Sequence, residues 1–191
     1  MSHFEFIFSL YSLVLGLSLV EILGGFGRTL KSLLHVDEEG NAKLRIGWLT
    51  PLLGLLVMLD LLSFWSAAWV VRDMLSVSGA SLMATMIFAS AYYLAAHLVF
   101  PDNLAIVSDL DEHYFRVRKI VYSVLLVLLL VQLGFYASNP GLTAKLSEPF
   151  TLAMTIILIF LMILGCGVKS KRLNIAILLA MNVRYVMVYA L

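Results

Sequence analysis

Cysteine and charge are what this 191-residue chain has least of. Its single cysteine, Cys166, excludes an intramolecular disulfide and a cysteine-based metal centre. Charged residues are only 13% of the chain against 62% hydrophobic, a balance that excludes an ordinary soluble domain. The formal net charge is +1, so no global field favours nucleic acid as a partner. The opening MSHFEFIFSL lacks the basic region of a signal peptide, and its apolar run is too long for one. The first span is therefore expected to be retained, with no cleaved leader. No potassium-channel filter run is present.

What the chain has in abundance is long apolar runs. A spanning helix needs roughly 20 mainly apolar residues. Six runs meet that length, at about 4–27, 46–71, 80–100, 117–137, 150–168 and 173–191. The connections are short, and none could fold alone. The expected fold is all-α: a polytopic integral membrane protein with six transmembrane helices in one compact bundle, a single domain over 1–191. Lipid is its first partner.

Basic residues set the expected orientation. The first, third and fifth connections carry Arg28, Lys31, Lys43, Arg45, Arg116, Arg118, Lys119, Lys169, Lys171 and Arg172. The other two carry only Arg72 and Lys145. That is ten against two, so the odd connections are expected in the cytoplasm and both termini outside, in a cell (inner or plasma) membrane.

Asp60 lies near the middle of the longest run, IGWLTPLLGLLVMLDLLSFWSAAWVV. A carboxylate at that depth needs a partner, a water-filled cavity or a bound proton. The expected partner is Arg184 in the last run, at a matching depth and with Asn182 close by. A second layer lies nearer the cytoplasm. Glu21 sits about 8 Å and His97 about 10 Å to the inner side of their helix centres at the standard rise. Ser90, Tyr93 and His97 form a polar stripe at helical spacing.

Small residues define expected packing faces: Ser9, Ser12 and Gly16 in the first span, and Ala80, Ala84, Ala91 and Ala95 in the third. These faces suit a homo-oligomer. Gly24-Gly25-Phe26-Gly27 is expected to loosen the end of the first helix or to admit another backbone. In the first connection, Asp37, Glu38 and Glu39 before Gly40-Asn41 read as a solvated hairpin rather than a metal site. Asp109-Leu110-Asp111-Glu112 reads as a helix start with acidic residues in its first turn. The mixed-charge segment 102–119 is the best candidate surface for a cytoplasmic protein partner.

No cofactor is expected. A two-histidine haem site needs a second imidazole at the depth of His97, whereas His3, His35 and His113 lie outside the spans. Intramembrane proteolysis has no serine–histidine pair with a credible motif and no second membrane aspartate to work with. A lipid enzyme would have only His97, Glu21 and Tyr93, so an enzyme is not the expectation. The leading expectation is a small channel or transporter for protons or another small cation, with Asp60, Arg184, Asn182, Glu21 and His97 along the pathway. The alternative is a non-transporting interaction or sensor subunit acting through loops 28–45 and 102–119.

Overall fold

A computed structural model describes residues 3–34, 45–72, 78–104 and 107–190. The hairpin 37–41 and most of the loop 28–45 fall outside them. Seven helices follow in order: α1 (His3–Leu34), α2 (Leu49–Val70), α3 (Gly79–Val99), α4 (Leu110–Ala137), α5 (Pro140–Leu146), α6 (Pro149–Gly167) and α7 (Lys171–Ala190). All but the short α5 are long and apolar enough to cross a membrane, which gives the six spans of a multi-pass membrane protein. In hydrocarbon every backbone N–H and C=O must be satisfied within its own segment, and the helix does this.

The six spans close into a ring in the order α1, α3, α4, α6, α7, α2, and α2 also reaches inward to α3 and α4. Chain neighbours are therefore not always spatial neighbours, and α1 packs most extensively on α3. The core holds Leu15, Ile22, Leu53, Leu56, Ala95, Ala96, Tyr114, Tyr122 and Leu178. The outward surface is apolar in turn: Leu13, Val20, Ile87, Val127 and Phe160 are each more than half exposed, as lipid-facing side chains are.

Helix starts follow local chemistry. Ser78 and Ser81 form a reciprocal capping box on α3, each hydroxyl accepting the other's backbone N–H at 3.0 and 2.9 Å. Asp109 caps α4, accepting the N–H of Asp111 at 2.7 Å. Pro149 opens α6 at a position where its missing N–H costs nothing. The N-cap of α2, Trp48, has no capping group of its own.

Two expected details change. The first helix does not loosen at its glycines: α1 runs on to Leu34, about 48 Å at the standard rise. Gly25 admits a ring rather than a backbone, because Phe100 lies where its Cβ would be. The same ring packs over Gly54 of α2 and edge-on to Phe26 at 5.0 Å. The turn at Asn139-Pro140-Gly141 opens into α5. The small-residue faces are used within the chain as well: Ala95 and Ala96 are buried, while Ser9, Ala80 and Ala84 stay exposed.

Candidate functional site: a carboxylate held by two tyrosines

Asp60 stands at the midpoint of α2 and is 8% exposed. Its carboxylate does not pair with Arg184, contrary to expectation. Tyr92 of α3 donates its hydroxyl to one oxygen at 2.9 Å, and Tyr185 of α7 donates to the other. Among the described residues no cation lies within ion-pair distance of Asp60. Arg184 is one residue too far round α7: its Nε donates to the carbonyl of Met154 at 3.3 Å, and its guanidinium lies 4.7 Å from the Tyr185 ring centre. Asn182 serves packing. Its amide donates to the carbonyls of Leu52 and Leu178, at 3.1 and 2.8 Å, and so fastens α7 to α2.

Aromatic rings cover Asp60 on the side away from the start of α2. Phe64, one turn further along α2, stacks on Phe88 at 4.2 Å and leans on Tyr92 and Tyr11, both at 5.2 Å. Tyr92 and Tyr185 are the residues that sequence reasoning missed as partners. A phenol in an apolar helix reads as a packing group, and only the fold shows which phenols converge on one carboxylate.

The expected second layer does come together. His97 Nδ1 lies 3.4 Å from Glu21 Oε2, and Tyr93 donates to the other Glu21 oxygen at 3.4 Å. The Tyr93 and His97 rings stack, and Asp102 is 3.8 Å from His97 Nε2. The Glu21–His97 contact is close but not aligned as a hydrogen bond. The cluster is half-exposed, and among the described residues no hydrogen bond or ion pair joins it to Asp60. Among the described residues no three His, Cys, Asp or Glu side chains are placed so that they could hold a metal ion.

Two further polar clusters occupy the end that carries the starts of α2, α4 and α7. Asp111 is 3% exposed; it accepts the Leu49 N–H at 3.0 Å, supplying from α4 the cap that α2 lacks. Lys171 at the start of α7 pairs with its other oxygen. Thr50 donates to Leu110 O at 2.6 Å; the Arg45 N–H donates to Ser108 O at 2.9 Å, and Arg45 O accepts the Leu110 N–H at 3.1 Å. Arg118, 4% exposed, donates to the carbonyls of Gly165 and Val168 and to Asn174 Oδ1. It thus closes the end of α6 and the start of α7 in one contact set, with Tyr114 donating to the same Asn174 oxygen at 2.8 Å. Asp111 and Arg118 were expected on a partner-facing surface; both are internal fasteners. Asp102, Glu112, Arg116 and Lys119 keep the surface character expected of 102–119, with Glu112 and Arg116 paired one turn apart at 2.5 Å.

These features define a multi-pass helical membrane protein with a buried, tyrosine-bound carboxylate at mid-span. Comparison with protein-family models, curated proteins and solved structures finds no match to the chain.

Proposed function

We propose that this chain is a small membrane transporter for protons or another small cation, in which Asp60 is the binding group. One observation carries the reading: a mid-span carboxylate is enclosed by neutral phenols, with no side-chain cation paired to it among the described residues. An isolated buried carboxylate is too costly to keep as a bare anion, so its counter-charge is a bound proton or cation. The two phenols donate to the ionised form and re-orient when it is occupied. Arg184, 4.7 Å from the Tyr185 ring centre, is a fixed positive charge that biases the site. Glu21 and His97 form the inner step, at the end that the basic residues place in the cytoplasm. This puts both termini outside, in a cell membrane. The exposed small residues Ser9, Ala80 and Ala84 leave a face for a second copy.

The interaction-subunit alternative loses Asp111 and Arg118 from its surface and keeps Asp109, Glu112 and Arg116. The test is proton flux into liposomes containing purified protein under an imposed gradient. Flux is expected in wild type and is lost in Asp60→Asn, with an unchanged elution profile. Absence of wild-type flux under gradients of either direction, or full flux in Asp60→Asn, overturns the proposal.

A further inference from the structure

The end of the bundle that carries the starts of α2, α4 and α7 gathers positive charge on one side. Arg118 and Lys119 of α4, with Lys169, Lys171 and Arg172 at the α6–α7 turn, are five of the chain's thirteen basic residues. The fold brings them together. Arg118 reaches the carbonyls of Gly165 and Val168, and the ring of Tyr122, three residues beyond Lys119, lies against Gly165. Lys119 therefore stands on the side of α4 that meets the end of α6. One acid, Asp111, enters this set, and it takes Lys171. Arg118 is buried with only carbonyl and amide oxygens for partners, so no carboxylate cancels its charge. Lys119, Lys169 and Arg172 are exposed and have no acidic partner among the described residues.

From this placement we infer a docking site for an anionic phospholipid, with its phosphate on Lys119, Lys169 and Arg172. Unpaired cations at one end of a span attract a headgroup of net negative charge, whereas a zwitterionic headgroup sets its own ammonium against them. The start of α7 adds to the field: its first turn holds Lys171 and Arg172 and no acid, where the helix dipole already favours an anion. The apolar neighbours argue for a lipid over a soluble anion. Ile120 follows Lys119, Leu173 follows Arg172, and Ile163 lies about one turn before the end of α6; each is more than half exposed. Charge and lipid-facing surface thus adjoin at this corner. A soluble phosphate or an acidic peptide would leave the apolar flank unused. The inference does not depend on ion movement at Asp60.

Native mass spectrometry of the purified protein in neutral detergent tests it, with phosphatidylglycerol and phosphatidylcholine offered at equal concentration. Phosphatidylglycerol is expected to bind first and more tightly. Lys119→Gln/Lys169→Gln/Arg172→Gln is expected to lose that preference, at about fivefold per charge removed, with phosphatidylcholine binding unchanged. Arg28→Gln/Lys31→Gln/Arg45→Gln removes as many exposed charges from around the first connection and is expected to keep it. If the first triple variant fails to fold, Lys169→Gln alone decides the matter, with binding about fivefold weaker. Three outcomes overturn the inference: no preference in wild type, an equal loss in both triple variants, or displacement of the lipid by equimolar inorganic phosphate or hexaglutamate, which would make the patch a plain anion site.

Discussion

The hydroxyl of Tyr185 donates to Asp60, which lies 125 positions earlier in the chain, while the guanidinium of Arg184 lies 4.7 Å from the centre of the same ring. Tyr185 therefore touches both the acid of α2 and the base of α7 that the sequence places near mid-span. The two charges meet through a phenol rather than directly.

The three tyrosines around this layer should respond differently to loss of their oxygens. Tyr92→Phe and Tyr185→Phe each leave an Asp60 oxygen without its donor, at a cost of about 1–3 kcal/mol. Tyr11→Phe removes a hydroxyl that has no hydrogen-bond partner among the described residues and is expected to be neutral or slightly stabilising. Unfolding titrations of the three variants in mixed micelles check this order. Equal losses in all three would show that the hydroxyls do not matter individually.

Arg118 and Arg116 lie two residues apart but carry opposite expectations. Arg118→Ala removes one donor from each of Gly165 O, Val168 O and Asn174 Oδ1, of which Val168 O keeps Asn174 Nδ2 and Asn174 Oδ1 keeps Tyr114, and should cost about 1–3 kcal/mol. Arg118→Lys keeps the charge but not the planar fork, so it restores only part of the loss. Arg116→Ala breaks a surface pair and should fall within about 0.5 kcal/mol of wild type. The same unfolding measurement separates them.

Glycine substitutions should report the packing of α1. Gly25→Ala drives a methyl into the Phe100 ring and is expected to be destabilising. Gly27→Ala meets open space, and Gly24→Ala meets only the flexible end of Arg28. Both should be tolerated, with a gain of up to about 1 kcal/mol from helix propensity. Thermal aggregation of detergent-solubilised protein gives the comparison. A tolerated Gly25→Ala would mean that Phe100 does not seat there.

Orientation follows from labelling. In a Cys166→Ser background, Ser147→Cys lies at the end expected outside and Ser170→Cys at the end expected in the cytoplasm; both serines are exposed. A membrane-impermeant maleimide added to intact cells should label the first and not the second. The reverse pattern would invert the orientation proposed from the basic residues.

The spans were legible because lipid imposes one rule on every residue of a run, and Leu49–Val70 or Pro149–Gly167 needs only length and apolarity to be seen. The meeting of Glu21 with His97 was legible too, since depth along two straight helices suffices. What depth does not supply is rotation about the helix axis. Arg184 and Tyr185 share a depth within one residue, yet about 100° of turn separates them, and that decides which one reaches Asp60. The same blindness hid the roles of Asp111 and Arg118. Near a helix start, a charge that caps a neighbouring helix and a charge that faces water have the same sequence context.

Asp111 has a mechanical consequence. A single carboxylate pins the first turns of α2, α4 and α7 together, so three helices well separated in the chain share one fastener. Loss of that one group unties three helix starts at once.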